Sequence, residues 1–399
     1  MSAFFPANKV IYFTTSSHFK FYSLEVTVID NTGMPVKMRP QIAHKIQLDI
    51  CRLADKIISM KKSRSHLRLL IPLFLLVGSL YFILRNGEGW LRHLLIYLSQ
   101  ANWARQLVNN WSISWRVASR FVAGADRAAA INVTRAMNQN GLLVTLDYLG
   151  ESCKSDREAD QAREEILLLL EEIDSEGLQA NVSVKPTQLG LKIDENMALS
   201  NICILVEKAK QVGNFIRIDM EDSTAVDPTL RIYRRLRYDA ELDNVGVVIQ
   251  SYLYRSEEDV LQLIGDGARV RLCKGAYSEP PEIAFPRKTD TDANYLNLAR
   301  ILLSEKARQN GVYPAMATQD PTIIDEIKTY AGAKNISRDA FEFQMLYGIR
   351  RDLQDALVRE GYQVRIYVPY GTAWYPYFVR RLAERPANLW FFISNFFRS

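Results

Sequence analysis

Beyond Gly141 the chain repeats one unit: a short apolar run, a polar turn, then a longer amphipathic segment. The apolar runs fall at residues 142–146, 180–184, 215–219, 245–249, 268–272, 314–318, 341–345 and 364–368. Between and after them, apolar positions recur at three- and four-residue spacing over 157–173, 196–212, 228–239, 257–264, 293–309, 321–330, 349–360 and 374–384. Short strands alternating with helices of this length predict parallel βαβ units. Eight such units over about 250 residues predict a closed (β/α)8 TIM-type barrel. The competing architecture, an open doubly wound sheet, calls for a glycine-rich turn after its first strand. Asp147-Tyr148-Leu149-Gly150-Glu151 is not one, and the GxG at Gly265 and Gly267 precedes a strand and reads as a turn.

The pattern before the barrel is different. Trp90, Leu91, Leu94, Leu95 and Leu98, then Leu107, Trp111, Trp115, Val117 and Phe121, recur at helical spacing and predict lead-in helices. The expected division is therefore an N-terminal extension, 1–88, and a barrel with lead-in helices, 89–399. Within the extension, 10–13 and 19–28 alternate weakly, and 69–84 form an uncharged apolar run flanked by Lys61, Lys62, Arg64 and Arg68. That run is shorter than the roughly 20 residues a spanning helix needs and contains Pro72 and Gly78. Basic residues are denser before it than after, which would place the barrel outside the cytoplasm. A membrane anchor is disfavoured; a membrane-surface helix, a buried helix and an extension translated from a mis-assigned start all stay open.

In a barrel of this type, function sits where strands end and the βα loops begin. The polar residues there are Asp147 and Glu151, Lys185, Asp219 and Glu221, Gln250, Arg271 and Lys274, Thr318 and Gln319, Gln344, and Tyr367. Both charge signs are present, which suits a zwitterion or an anionic cofactor. After the last strand, Tyr377 lies one helical turn before Arg380 and Arg381, and Glu384 one turn after them. Forked guanidinium groups beside an aromatic ring form an anion-binding platform.

Composition narrows the chemistry. All four histidines precede residue 94, so the barrel has no imidazole base, no Ser-His-Asp triad and no histidine metal site. Four dispersed cysteines without a CxxC fit a reducing cytoplasm and no disulfide scaffold. A net charge of +5, spread along 399 residues, gives no case for nucleic acid.

Four segments carry a family resemblance: 271–277 (RLCKGAY), 341–348 (FEFQMLYG), 365–371 (RIYVPYG) and 377–386 (YFVRRLAERP). With these, residues 89–399 resemble the monofunctional bacterial proline dehydrogenases. The resemblance implies FAD as cofactor, oxidation of L-proline to 1-pyrroline-5-carboxylate, and transfer of electrons to a membrane quinone. It also implies a cytoplasmic protein with a peripheral contact on the inner face of the membrane. No aldehyde dehydrogenase segment follows, so a separate 1-pyrroline-5-carboxylate dehydrogenase would carry proline degradation on to glutamate. By the same resemblance Arg380, Arg381 and Lys185 hold the substrate carboxylate. Tyr367, Tyr377, Leu346, Ala276 and Tyr277 pack on the ring, and Asp219 is part of the catalytic set. Gln250, Arg271, Lys274, Gly275, Ala276, Thr318, Gln319 and Glu384 form the cofactor site, while Glu151 and Asp219 supply gating ion pairs. One position departs: the family has His where Gln319 stands, and glutamine donates a hydrogen bond but carries no charge. Flavin-linked folate reduction on the same barrel and a non-enzymatic amino-acid-binding protein are the alternatives. Neither accounts for the paired arginines together with Tyr367, Tyr377, Arg271 and Tyr277. The aromatic tail, 388–399, either meets the membrane or packs back on the barrel.

Overall fold

A computed structural model describes residues 118–150 and 152–384, together with the backbone of three short strands near the N-terminus. The chain divides into two units, Met1–Glu88 and Gly89–Ser399. In the first, β1 (Val10–Thr14), β2 (Glu25–Ile29) and β3 (Pro35–Val36) form an antiparallel sheet in the order β1-β2-β3. The apolar run 69–84, the lead-in helices up to residue 117 and the tail 388–399 lie outside the described residues.

The second unit is a closed eight-stranded parallel barrel. Its strands are β4 (Leu143–Tyr148), β5 (Ala180–Val184), β6 (Ile216–Ile218), β7 (Val245–Gln250), β8 (Arg269–Cys273), β9 (Tyr313–Ala317), β10 (Glu342–Leu346) and β11 (Gln363–Tyr370). Closure comes from β11 pairing with β4, with Ile366 opposite Val144 and Pro369 opposite Asp147. The expected TIM-type fold is the observed one. Strands buried on both faces explain the unbroken apolar runs in the sequence.

The helices are α1 (Arg127–Gln139), α2 (Asp156–Ser175), α3 (Glu195–Gln211), α4 (Val226–Tyr238), α5 (Ser256–Gly265), α6 (Lys288–Leu302), α7 (Glu305–Gln309), α8 (Pro321–Ala333), α9 (Arg351–Arg359) and α10 (Trp374–Glu384). Side-chain caps start several of them: Asp126, Ser155, Asp194 and Asp320 each accept a backbone N–H of the first turn. The single helix expected over 293–309 is two. Ser304 accepts the Ala307 N–H and starts α7 where α6 ends. Strand β11 runs two residues past Val368, because Pro369 still offers a carbonyl, which accepts the Ala123 N–H. Helix α9 begins at Arg351 rather than 349, since Arg350 adopts φ 52.

A main core fills the barrel and the strand–helix interface, with Leu146, Val182, Ile218, Val247, Leu272 and Ile366 fully or almost fully buried. A second apolar cluster joins Ala118, Phe121, Val122 and Leu149 to Trp374, Tyr375, Tyr377, Phe378 and Val379 of α10. Leu149 follows β4 and α10 follows β11, so this cluster holds α10 beside the C-terminal end of the barrel. Phe378 meets Phe121 at a tilt (6.1 Å between centroids) and Trp374 edge to face (5.8 Å).

At the opposite end, the Arg365 Nε donates to both oxygens of Glu342, at 3.0 and 3.1 Å. Burial pushes the Glu342 carboxyl up, but Arg365 and hydrogen bonds from Arg365 and Gln344 outweigh it and hold the group below the ordinary value. A depressed folded value means stability that is present above the unfolded value and lost as pH falls through the folded one. Glu342→Gln is therefore expected to cost about 3 kcal/mol at neutral pH, as for one broken partner of a buried ion pair. Denaturation curves for the two proteins should converge as the pH falls below the ordinary glutamate range.

Candidate active site

The C-terminal ends of five strands deliver one charged network. Asp147 comes from β4, Asp219 and Lys185 directly follow β6 and β5, Arg271 lies on β8 and Tyr367 on β11. Lys185 Nζ donates to Asp147 Oδ2 at 2.7 Å, to the Tyr367 hydroxyl at 3.1 Å and to Asp219 Oδ2 at 3.4 Å. The Tyr367 hydroxyl donates to the same Asp219 Oδ2 at 2.9 Å. Arg271 Nη1 donates to Asp219 Oδ1 at 2.8 Å, and its Nε to Gln344 Oε1. Both cations lie close to the Tyr367 ring, Lys185 Nζ 5.9 Å and Arg271 Cζ 5.3 Å from its centroid. Asp147, Lys185, Asp219 and Arg271 are all buried.

Burial pushes both aspartates up, and they diverge because their partners differ. Burial pushes Asp219 up, but the charges of Lys185 and Arg271 and the hydrogen bond from Tyr367 hold it below the ordinary carboxylate value. Burial and then the Asp219 charge leave Asp147 raised despite Lys185. Its Oδ1 is buried with no hydrogen-bond partner among the described residues. Tyr367 is pushed well above its ordinary value, first by burial and then by the two aspartates, so it stays a neutral hydroxyl.

Above this floor lies α10. The Arg381 guanidinium stacks on the Tyr377 ring at 5.0 Å, with both residues buried and Arg380 half-buried. Tyr367 packs against the α10 cluster, linking the floor to the platform. Leu346 ends β10, and Ala276 and Tyr277 lie half-buried in the loop after β8.

The residues expected around a cofactor gather at the ends of β7, β8 and β9. Gln250 donates to the Glu221 carbonyl at 2.7 Å. Lys274 pairs with Asp292 at 2.6 Å and Asp320 at 3.1 Å. Gly275 has φ 110, and a Cβ there would come within 2.3 Å of the Tyr252 ring, so this backbone turn requires glycine. Thr318 is buried, and its N–H reaches the Met316 and Gln344 carbonyls. Buried polar atoms here with no hydrogen-bond partner among the described residues include Arg271 Nη2, Gln319 Oε1 and the Tyr252 hydroxyl. A permanently charged donor and an amide oxygen left open at a barrel mouth fit a polar, anionic cofactor. Among the described residues no group of three or more His, Cys, Asp or Glu could hold a metal ion.

Two expected residues escape this description: Glu151 lies outside the described residues, as does the side chain of Glu384. Asp219 directs both oxygens to Lys185, Tyr367 and Arg271, which makes it the hub of the floor. Asp147 and Gln344 were legible only as polar strand-end residues. The structure makes the first a fully buried partner of Lys185 and the second the acceptor for Arg271. Glu221, another such residue, accepts from the N–H and hydroxyl of Thr187, at 2.9 and 2.6 Å, and so fixes the turn after Lys185.

The contrast between the aspartates gives a stability test. Asp219→Asn should cost about 3–5 kcal/mol in chemical denaturation, because it strips charge from two buried cations. Asp147→Asn, at a site that already resists ionisation, should cost less than half as much. Equal losses would show that the two carboxyls are not differentiated.

Comparison with known proteins agrees with this geometry. The sequence profile described as proline dehydrogenase matches residues 130–393. A proline dehydrogenase of Deinococcus radiodurans is 43% identical over 284 residues, covering 70% of this chain and 90% of the relative. Proline dehydrogenase 1 of Bacillus subtilis is 40% identical over 305 residues, covering 76% and 98% respectively. Among solved structures, proline utilization A (PutA) from Bdellovibrio bacteriovorus, inactivated by N-propargylglycine, matches with a TM-score of 0.66 and 25% identity over 76% of this chain and 38% of that one. With its closed barrel and with relatives matched over nearly their whole length, the chain belongs to the proline dehydrogenase family, oxidoreductases acting on a CH–NH donor.

Proposed function

We propose that this protein oxidises L-proline to 1-pyrroline-5-carboxylate with FAD as the immediate acceptor and a quinone as the final one. A separate 1-pyrroline-5-carboxylate dehydrogenase then takes the product on to glutamate. The observation that carries the reading is the buried Asp147–Lys185–Tyr367–Asp219–Arg271 floor, linked through Tyr367 to the Arg381–Tyr377 platform. It offers cations for a carboxylate, carboxyl groups for an amine, and aromatic walls for a small ring.

Arg380 and Arg381 clamp the substrate carboxylate, with Lys185 contributing its charge from below. Tyr367, Tyr377, Leu346, Ala276 and Tyr277 enclose the ring and exclude water. Glu151 and Asp219 gate the site through their ion pairs. Substrate conversion removes a hydride from the carbon next to nitrogen and one proton from the nitrogen. When bound, FAD supplies the two-electron acceptor for that hydride. The chain's own task is orientation, and no imidazole is needed for it. Tyr367, held neutral, donates to Asp219 and accepts from Lys185, which fixes both groups under the ring. Gln250, Arg271, Lys274, Gly275, Ala276, Thr318, Gln319 and Glu384 would hold the cofactor. The open Arg271 Nη2 would offer a positively charged donor to an anionic cofactor. Electron delivery to a quinone fits a cytoplasmic protein that touches the inner face of the membrane. Among the described residues no helix is long and apolar enough to cross one.

Purified protein loaded with FAD should be yellow and should bleach when L-proline is added without oxygen. A yellow protein indifferent to proline would redirect the search to another substrate, and a protein that takes up no flavin would overturn the reading. Arg381→Met should raise the KM for proline about a hundredfold while leaving the flavin spectrum in place, as expected when one member of a desolvated charge pair is truncated. Gln319→His should tighten FAD retention in equilibrium dialysis.

A further inference from the structure

The opposite end of the barrel carries its own unbalanced charge. Arg217, on β6, is 2% exposed; its Nη1 donates to the Val247 carbonyl at 3.0 Å and to the Arg269 carbonyl, while its buried Nε has no partner among the described residues. The guanidinium of Arg217 stacks on the Phe215 ring at 4.8 Å, and that of the exposed Arg269 on the same ring at 5.2 Å. Gly246 makes the arrangement sterically feasible, since a Cβ there would fall 2.3 Å from the Arg269 carbonyl and 2.7 Å from Arg217 Nη1. The charge of Glu342 offsets that of Arg217 in part, but its oxygens hydrogen-bond Arg365 and Gln344. Burial, aided by the charges of Arg271 and Arg365, pushes Arg217 down to about 9.

These residues line a cavity of about 610 Å³. Its other walls include the first residues of β4 and β5, so it opens at the N-terminal end, away from the Lys185–Tyr367 floor. The exposed Asp174, Lys210 and Asp243 also line it. Beside them is Asn244, whose Nδ2 donates to the Val206 and Asn214 carbonyls and whose buried Oδ1 has no donor among the described residues.

We propose that this cavity binds a small oxyanion, phosphate or a carboxylate, gripped by Arg217 and Arg269 at the faces of Phe215. An oxyanion supplies the counter-charge that the layer lacks and an acceptor for the open Arg217 N–H. It would tie together the starts of β6, β7 and β8 without touching the catalytic end. A protonated phosphate also carries an O–H for Asn244 Oδ1, which a carboxylate anion lacks.

Isothermal titration calorimetry of the full-length, FAD-loaded protein with inorganic phosphate, and separately with acetate at equal ionic strength, tests this. One saturable site per chain is expected, retained in Arg381→Met, which removes uptake at the catalytic mouth. Arg269→Ala, at an exposed position, should weaken binding about tenfold or more, as for loss of a charged hydrogen-bonding partner, with proline turnover unchanged. Arg217→Lys should weaken it likewise. Phosphate bound in preference to acetate identifies the phosphate class and the use of Asn244; the reverse identifies a carboxylate. Absence of saturable binding of either anion, or equal affinity in wild type and Arg269→Ala, overturns the proposal.

Discussion

Everything at the catalytic end depends on one buried carboxylate. Asp219 receives Lys185 and Tyr367 on one oxygen and Arg271 on the other. Without it, Arg271 would lose its only carboxylate partner among the described residues and Lys185 would be left to Asp147, in a desolvated space where unpaired charge is most expensive. With it, both cations have a counter-charge, while Tyr367 stays neutral. The aspartate next to it, Asp147, answers the same cation but carries the residual burden of burial. Two acidic side chains of one type thus hold different protonation tendencies because their neighbours differ.

The platform is positioned by packing instead. Helix α10 rests on Phe121, Val122 and Leu149, and Phe378 and Trp374 pack in its apolar face. Tyr367 belongs to both systems: its hydroxyl joins the charged floor, and its ring meets the α10 cluster. The site is therefore an electrostatic layer and a hydrophobic layer sharing one side chain.

Strand–helix alternation made the barrel legible, because strands buried on both faces stand out as apolar runs. Strand ends then named Lys185, Asp219, Arg271 and Tyr367, and helical spacing after the last strand put Tyr377 beside Arg380 and Arg381. The remainder was hidden for physical reasons. Asp147 and Gln344 looked like rim residues because a sequence does not say which way a strand-end side chain points. Arg217 and Glu342 were hidden because a charged residue within a strand reads as an outward-facing position until its partner is known. The break between α6 and α7 turns on one serine cap in a continuous amphipathic pattern. Pro369 argued for a strand end, but proline removes only a donor, and its carbonyl still finds a partner.

The barrel closes where its first and last strands meet, β4 against β11, and the site straddles that seam. Pro369 pairs with Asp147, and the Lys185–Tyr367 hydrogen bond joins groups 182 residues apart. Contacts of such sequence separation come late and slowly in folding, because the chain entropy must be surrendered before they form. A chain emerging from synthesis can thus complete seven strands and still lack Tyr367, the side chain that hydrogen-bonds both Lys185 and Asp219 and joins the floor to α10, because it arrives on the eighth. Catalytic competence is in effect a report on the last step of assembly, and a truncated or half-closed barrel is silent rather than partly active.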